Sequence, residues 1–403
     1  MIDFDILETL VAASIVLLLG RKLVASSSFL KSYSIPEPVV GGLLFAVLLL
    51  TISGFAGISV QFDTTLQEPL MLAFFATIGL NADFASLKVG GRTLLLFFGV
   101  VLGCLVLQDI IGVSMAKMLR LDPLIGLLAG SITLSGGHGT GAAWGRVFTE
   151  RNGLAVATEI AIACATFGLI MGGLIGGPVT GFLAKYFKLS ADAQVQISDN
   201  DPYQGFEKPK AVQQITPQAF IEAVALIAIC LSIGTIMAGW LNNTAFELPT
   251  FVSVLFVGIL LSNGLSFLVG YKIFERTVQM LGNISLSLFL AMALMSLRLL
   301  DLTSLALPVL FILFVQSIAM ALYAIFVTFR VMGCNYDAAV LAAGHCGFGL
   351  GATPTAIANM QAVTERFGPS PLAFLVVPMV SAFFIDIANA IVIKLFLALP
   401  IYN

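Results

Sequence analysis

The chain has 403 residues, of which 59% are hydrophobic and only 10% are charged. About a quarter of the residues in soluble domains are charged, so this composition excludes a soluble globular protein and is typical of a polytopic membrane protein. The formal net charge of −3 arises from scattered residues, and no basic run indicates a nucleic-acid partner. The five cysteines lie at irregular spacing, which favours neither a disulfide framework nor a zinc site.

The first half of the chain, residues 1–185, predicts five transmembrane helices and one interrupted apolar segment. About 20 apolar residues cross the bilayer core, and such runs lie near 5–25, 36–54, 69–84, 93–116 and 154–184. Acidic residues precede the first run, unlike the positive start of a signal peptide, so we expect an uncleaved first span. The segment 123–148 holds the cluster Ser135-Gly-Gly-His138-Gly-Thr-Gly-Ala142. This cluster is expected to interrupt the helix and form the tip of a re-entrant hairpin.

The second half, residues 218–403, repeats this organisation after a polar linker at 186–217. Its predicted spans lie near 218–241, 248–269, 280–297, 304–329 and 371–397. The segment 336–363 holds a second cluster, Gly344-His345-Cys-Gly-Phe-Gly-Leu-Gly-Ala-Thr353-Pro-Thr-Ala356. It predicts a second re-entrant hairpin.

Sequence matches and charge both predict an inverted-topology repeat. The phrases Phe148-Thr-Glu-Arg151-Asn-Gly and Val363-Thr-Glu-Arg366-Phe-Gly follow the two clusters at an offset of 215 residues. Five crossings in each half is an odd number, so the second half must enter the membrane from the opposite side. With the amino terminus outside, 13 of the 19 Lys and Arg residues face the cytoplasm, as the positive-inside rule favours. Both termini are then expected in the periplasm and the linker in the cytoplasm.

The hairpin tips are the predicted binding site. A non-helical tip survives in a membrane only against protein or a hydrated cavity, and there it offers backbone polar groups to a ligand. Helix amino termini favour carboxylates, and helix carbonyls favour sodium, so the tips predict an anionic substrate coupled to sodium. Glycines that permit this geometry are Gly136, Gly137, Gly139 and Gly141 at the first tip and Gly347, Gly349 and Gly351 at the second. Close helix packing is the alternative, and it is the role expected of Gly172, Gly173, Gly176 and Gly177.

Polar residues at the tips and in the neighbouring spans are the candidate ligands. Hydroxyl groups there could hold a carboxylate or sodium, or could instead bond to a helical carbonyl. The predicted substrate site comprises Ser135, Gly136, Gly137, His138, Gly139, Thr140, Gly351, Thr353, Thr355, Asp386 and Asn389. The predicted sodium site comprises Ser135, Asn81, Asn283, Ser285, Gly349, Thr353 and Asp386.

Asp386 is the strongest ionisable candidate because charged residues within spans are costly and mark function by default. It is expected to pair with a substrate ammonium or to bind sodium, and the alternative is a structural bond to a neighbouring helix. Asn389 lies on nearly the same helix face. Glu159 holds a comparable but weaker position in the first half, while Asp109 and Glu222 are expected to pack helices or lie at the interface.

The two histidines, His138 and His345, both fall in the glycine-rich clusters. Two roles are therefore open for these histidines: they could orient the tip or contact the substrate, or they could be ordinary packing residues. Arg146 and Arg298 could neutralise a substrate carboxylate, but snorkelling at the loop edge is the favoured interpretation.

Three segments closely resemble the bacterial glutamate:sodium symporter family: Ile35–Val39, Ser131–Trp144 and Ala342–Met360. The resemblance runs the whole length apart from residues around 188–214. It implies symport of L-glutamate across the bacterial inner membrane, driven by Na⁺ as the coupling ion and without any cofactor. It also implies a homodimer embedded in membrane lipid and an all-α fold of two inverted repeats, each of five transmembrane helices and a re-entrant hairpin. An elevator-type movement is implied, in which a transport domain carries both hairpins and the scaffold includes the second and seventh spans.

Other functions stay open at this point. A sodium-coupled carrier of citrate or malate is the nearest alternative, and an ammonium partner such as Asp386 favours an amino acid over it. An ion channel is the second alternative. An enzyme is not favoured, because the glycine spacing lies inside an apolar segment and does not follow a strand, as a dinucleotide-binding fingerprint would.

Overall fold

The computed structural model describes ten stretches of the chain: 2–32, 35–56, 60–82, 85–187, 189, 215–242, 244, 248–271, 273–295 and 305–401. Most of the predicted linker, residues 188 and 190–214, lies outside the described residues, as do Arg298 and the end of the predicted span 280–297. The described chain is almost entirely helical.

The helices of the first half begin and end close to the predicted bounds. They are α1 (Ile6–Ser26), α2 (Ser28–Ser32), α3 (Glu37–Ala56), α4 (Gln67–Asn81), α5 (Ala85–Met118), α6 (Pro123–Leu127), α7 (Gly137–Asn152) and α8 (Ala157–Tyr186). Asp5 caps α1 by accepting a bond from the N–H of Glu8, whose own side chain bonds back to Asp5. The acidic start of the chain therefore sets where the first span begins.

The helices of the second half follow the same pattern. They are α9 (Pro217–Leu241), α10 (Thr250–Val269), α11 (Glu275–Met295), α12 (Ala306–Tyr323), α13 (Phe329–Val331), α14 (Tyr336–Leu350), α15 (Thr353–Phe367), α16 (Pro371–Met379) and α17 (Ile385–Leu397). Three wider π turns lie within the described residues: Leu128–Ile132 after α6, where the backbone at Gly130 is non-helical, Ala324–Thr328 between α12 and α13, and Val380–Phe384 between α16 and α17.

Within the described residues, eight helices are long and apolar enough to cross a membrane. The pair Pro371–Ala382 and Ile385–Leu397, bent by 48°, gives a ninth if it is one broken span. Helix α4 corresponds to the remaining predicted span, but its 15 residues extend only about 22 Å, short of a hydrocarbon core of about 30 Å. The chain is a multi-pass membrane protein, and the full set of ten crossings remains a prediction.

A small parallel sheet corrects the expectation of a purely helical chain. Strand β1 (Ile2–Phe4) pairs with β2 (Val60–Phe62) in the register Ile2 to Val60. The N–H of Asp63 then donates to the hydroxyl of Thr9 at 3.1 Å, which ties the end of β2 to α1. Strands of three residues are too short to show an alternating pattern, so no sequence pattern predicts them.

The chain divides into two units that do not follow the two halves of the sequence. The first unit contains residues 1–83, 138–163 and 215–307, and the second contains 84–137, 164–214 and 308–403. Each unit therefore takes helices from both predicted repeats. The boundary at Gly137 and His138 divides the first predicted hairpin between the units.

Small residues allow helices of the first unit to pack closely. A Cβ atom at Gly79 of α4 would lie 2.2 Å from the carbonyl oxygen of Leu255 in α10, and one at Gly282 of α11 would lie 2.2 Å from Thr77 Oγ1. At Gly20 of α1, the added atom would lie 2.1 Å from the carbonyl oxygen of Glu37. Contacts this short exclude any side chain, which is the usual role of glycine in membrane helix packing.

The second unit has an apolar core around α5, α14, α16 and α17. Phe97, Leu105, Phe348 and Val377 belong to this core and are at most 1% exposed. Helix α5 has a break at Gly91, where φ is 55°, and its apolar membrane-crossing part runs from there to Met118. This core holds the second predicted hairpin segment, residues 336–363.

Candidate functional site

The two predicted hairpin tips meet in the second unit. Ser135 Oγ lies 3.2 Å from the carbonyl oxygen of Gly349, and a Cβ atom at Gly137 would be 3.6 Å from the carbonyl oxygen of Gly351. Gly137 has a φ of 68°, in the left-handed region that favours glycine. The structure thus brings together four of the residues that the sequence predicts for the site.

The glycine clusters interrupt the helices less than expected. Gly139 and Gly141 belong to α7, and Gly347 and Gly349 belong to α14, so the helical breaks are confined to Ser135–Gly136 and Gly351–Ala352. The helical glycines provide close packing instead. A Cβ atom at Gly347 would lie 2.5 Å from Ala356 Cα, which brings α14 and α15 together.

Gln108 of α5 connects the two tips. Its Nε2 donates to the carbonyl oxygen of Gly349 at 2.6 Å, and its Oε1 accepts a bond from Ser135 Oγ at 2.7 Å. Gln316 of α12 in turn donates to the carbonyl oxygen of Gln108 at 2.7 Å and to that of Ala129 at 3.2 Å. Sequence reasoning missed both glutamines, although uncharged polar residues in apolar spans signal bonds between helices.

A second buried network fixes the first arm of the first hairpin segment. Ser131, in the π turn after α6, donates its N–H to Asp109 Oδ1 at 2.8 Å. Asn389 Nδ2 donates to the carbonyl oxygen of Ser131 at 2.9 Å, and Ser131 Oγ lies 2.6 Å from Asn389 Oδ1. Asp109 packs helices as expected. Asn389, also fully buried, bonds through both amide atoms to a neighbouring helix, which favours a structural role over direct substrate contact.

The amino terminus of α15 provides groups suited to a carboxylate. Ala352 caps this helix without a side-chain hydrogen bond, and the first turn contains Pro354, which has no N–H. Thr355 is only 4% exposed, and its Oγ1 has no hydrogen-bond partner among the described residues. A helix amino terminus carries partial positive charge, so a carboxylate here would gain both backbone and hydroxyl donors.

Two hydroxyl groups lie together beside this helix end. Thr353 Oγ1 donates to Ser381 Oγ at 3.0 Å, and Ser381 lies in the π turn between α16 and α17. Asp386 follows on α17 and is half-buried. Oxygen ligands of this kind suit a hard cation such as sodium. Sequence reasoning missed Ser381, because nothing local distinguishes it from other serines in spans.

All three π turns carry a hydroxyl residue that bonds to another helix. Ser131 bonds to α5 and α17, Ser381 bonds to Thr353, and Thr328 Oγ1 lies 2.9 Å from His345 Nδ1. A π turn adds one residue to a helical turn and redirects the side chains that follow, and such turns are frequent at functional sites. Here Thr328 and Ser381 bond to the second predicted hairpin segment, and Ser131 joins the first predicted segment to α5 and α17.

His345 is surrounded by aromatic side chains of the second unit. Its ring stacks on Phe348 at 5.1 Å between centroids and meets Phe97 and Tyr323 edge-on at 5.6 and 5.9 Å. It is 1% exposed, and its Nε2 has no hydrogen-bond partner among the described residues. These contacts favour packing and orientation of α14 over contact with a substrate.

Other predicted ligands belong to the first unit. His138, Thr140 and Ser285 are buried, whereas Asn283 is exposed on α11. Asn81 ends α4, and its buried Oδ1 has no hydrogen-bond partner in the described chain. The predicted sodium ligands are therefore divided, with Asn81, Asn283 and Ser285 in the first unit and Ser135, Gly349, Thr353 and Asp386 in the second.

Glycines of α8 hold the second hairpin segment in place. Cβ atoms at Gly168 and Gly172 would lie 2.1 Å from the carbonyl oxygen of Leu350 and 2.9 Å from that of Gly347. Asn359 Nδ2 of α15 donates to the carbonyl oxygen of Gly172 at 2.9 Å. The packing role predicted for Gly172 is confirmed, as it is for Gly176, where an added Cβ would lie 2.2 Å from Asn359 Nδ2, whereas Gly177 faces open space.

Known proteins share the full length of this sequence. The family model described as sodium/glutamate symporter matches residues 2–369. The chain is 66% identical to the sodium/glutamate symporters of Escherichia coli (strain K12) and Shigella flexneri, over 100% of this chain and of each relative. It is 51% identical to the sodium/glutamate symporter of Haemophilus influenzae, over 97% of this chain and 96% of that protein. The chain therefore belongs to the sodium/glutamate symporter family.

Proposed function

We propose that this protein takes up L-glutamate across the bacterial inner membrane by symport with sodium. Its membership of the sodium/glutamate symporter family supports this function, and the alternatives of a citrate carrier, a channel or an enzyme are not favoured. The observation in the structure that carries the proposal is the meeting of the two glycine-rich tips beside the amino terminus of α15. Backbone N–H groups there can bind an anion, and backbone carbonyl oxygens there can bind a cation.

The substrate carboxylate binds at the amino terminus of α15 in this proposal. The unpartnered Oγ1 of Thr355 gives it a hydroxyl donor, and the first backbone N–H groups of the helix give it further donors. A buried hydroxyl without a partner is unfavourable, so a ligand that accepts its bond gains affinity. The α-ammonium group of glutamate would pair with Asp386 on α17.

Sodium binds to oxygen atoms close to the same helix end. The hydroxyl pair of Thr353 and Ser381 and the carbonyl oxygen of Gly349 are the ligands that we propose, with the carboxylate of Asp386 as the alternative to its ammonium role. The carbonyl of Gly349 already accepts bonds from Gln108 and Ser135. Gln108 acts as a positioning residue, because it joins the tips without being a ligand itself.

The transport cycle proposed here is an elevator-type movement in a homodimer. The second unit holds the second hairpin segment and the tip residues Ser135 and Gly137, as a transport domain would. The first unit holds α3 and α10, the second and seventh predicted spans, as a scaffold would. We also propose that the chain forms two inverted repeats, each with a re-entrant hairpin. Both termini then lie in the periplasm and the linker lies in the cytoplasm.

Uptake of radiolabelled L-glutamate into proteoliposomes tests the function directly. We expect concentrative uptake only with an inward sodium gradient, and competition by unlabelled glutamate but not by citrate or malate. Uptake that persists without the gradient would contradict symport and indicate a channel. Competition by citrate would indicate the other class of carrier.

A further inference from the structure

A cavity in the first unit lies apart from the residues assigned to transport. It has a volume of about 260 Å³ and is formed where α4, α7, α8 and α11 come together. Its polar lining comes from Gln67, Arg146, Glu150, Thr158 and Glu159. Phe289 and Ala293 of α11 supply an apolar wall. A cavity with converging polar groups and an apolar wall is the usual form of a small-molecule site.

Arg146 presents one free edge of its guanidinium group. Its Nε donates to Glu150 Oε1 at 2.6 Å, and its Nη2 lies 3.4 Å from Glu68 Oε2. Its Nη1 is buried and has no hydrogen-bond partner among the described residues. A buried donor of a charged group without an acceptor is unfavourable, so this position favours an anionic oxygen.

The cavity also carries negative charge. Glu159 is only 9% exposed and lines it together with Glu150, while Glu68 adjoins Arg146. Two carboxylates thus contact the guanidinium group of Arg146, and a third lines the same cavity. A ligand with a carboxylate alone would meet this excess of negative charge, and a cation alone would leave Nη1 of Arg146 without an acceptor.

We propose that this cavity is a second ligand site, for a neutral amino acid in its zwitterionic form. The α-carboxylate accepts from Arg146 Nη1, the α-ammonium pairs with Glu159, and the side chain lies against Phe289 and Ala293. The excess of carboxylates disfavours a second negative charge on the ligand. The site therefore prefers L-glutamine to L-glutamate, in contrast to the transport site.

Equilibrium binding of radiolabelled L-glutamine to the purified full-length protein in nanodiscs tests the proposal. We expect saturable binding in sodium-free buffer, with L-glutamate a weaker competitor than unlabelled L-glutamine. Glutaramate lacks the ammonium group and 4-aminobutanamide lacks the carboxylate, so each should compete at least tenfold more weakly. Absent or sodium-dependent binding, or equal competition by either analogue, would overturn the proposal.

Substitutions then locate the bound ligand. Arg146→Gln and Glu159→Gln should each weaken L-glutamine binding at least tenfold, and Glu159→Gln keeps the shape of the side chain if the arginine variant fails to fold. Arg151→Gln, an exposed cation on the same helix, is the matched control and should leave binding unchanged. Size-exclusion elution like that of the wild type confirms folding. Unchanged binding in folded Arg146→Gln and Glu159→Gln would place the ligand elsewhere and overturn the proposal.

Discussion

Gln108 Nε2 lies 2.6 Å from the carbonyl oxygen of Gly349, although 241 residues separate them. This bond, together with the one from Ser135 to Gln108 Oε1, holds the two predicted hairpin tips against one helix, α5. The tips therefore depend on a side chain outside both glycine-rich clusters.

Replacing Gln108 by Met, which has a similar volume, should uncouple the tips. Ser135 and Gly349 would each lose a partner, and we expect sodium-driven glutamate uptake to fall at least tenfold, or about 1.4 kcal/mol. Gln218→Met on α9 is the control, because Gln218 is exposed and its side chain bonds, among the described residues, only to Glu222 on its own helix. Uptake by the Gln108 variant equal to that of the control would refute the role of Gln108.

Thr355→Val should raise the KM for glutamate without reducing stability. The Oγ1 of Thr355 has no partner among the described residues, so an apolar group of the same shape costs the folded protein little. Loss of one bond to a carboxylate predicts a KM about tenfold higher. Thr364→Val, whose hydroxyl bonds only to the carbonyl of Gln361 on the same helix, should leave the KM unchanged.

Ser381→Ala should weaken sodium activation more than glutamate binding. The hydroxyl of Ser381 lies 3.0 Å from Thr353 Oγ1, in the pair that we assign to the cation. We expect the sodium concentration for half-maximal uptake to rise several-fold. Ser317→Ala is matched to it, since Ser317 is also buried in the second unit and its hydroxyl bonds, within the part of the chain that the structure describes, only to the carbonyl of Leu313 on its own helix. Equal sodium curves for the two variants would remove Ser381 from the site.

Asp386→Asn should reduce sodium-driven glutamate uptake at least tenfold, because asparagine keeps the shape of the side chain but loses the charge that we assign to the substrate ammonium or to sodium. Uptake equal to that of the wild type would remove Asp386 from the site.

Asn389→Leu should reduce stability. The substitution removes two buried bonds to Ser131 and should destabilise the protein by about 1–3 kcal/mol. Thermal unfolding followed by tryptophan fluorescence measures the loss, and an unchanged unfolding temperature would contradict the structural role of Asn389.

Glycines of α8 give a test of packing within one helix. Gly172→Ala places a Cβ atom 2.9 Å from the carbonyl oxygen of Gly347, and overpacking of this kind costs about 1–3 kcal/mol. Gly177→Ala meets no atom within 4 Å and should be neutral, or stabilise the helix by up to about 1 kcal/mol. The Gly172 variant should therefore unfold at a lower temperature than the Gly177 variant, and equal unfolding temperatures would contradict the close contact.

Helix positions followed directly from the sequence, whereas local irregularities did not. The predicted span 218–241 coincides with α9. The apolar run is continuous, and Thr216 and Pro217 mark where the helix begins. The span 371–397 was also predicted, but its π turn and 48° bend were not. Such a turn depends on contacts with other helices, here the bond between Ser381 and Thr353, and leaves no periodic signal in the sequence.

The candidate site could be predicted only where composition marks it. Glycine, serine and threonine stand out in apolar sequence, so Ser135, Gly351 and Thr355 were predicted as site residues. Gln108 and Gln316 were not, since their partners are backbone carbonyl oxygens that every residue has. The clusters also suggested long non-helical tips, because glycine that breaks a helix and glycine that packs one look the same in a sequence.

The π turn at Val380–Phe384 is tolerant of a change in chain length. It holds one residue more than an α-helical turn, so deleting one residue within it would restore regular α-helical bonding and leave α17 facing the same way. Asn389 would then stay beside Ser131, and Asp386 would keep its direction. In a regular α-helical turn, each residue turns the chain by about 100°, so the same deletion there would rotate everything that follows. The place of a deletion along a span, and not only its length, therefore decides whether the residues after it keep their contacts.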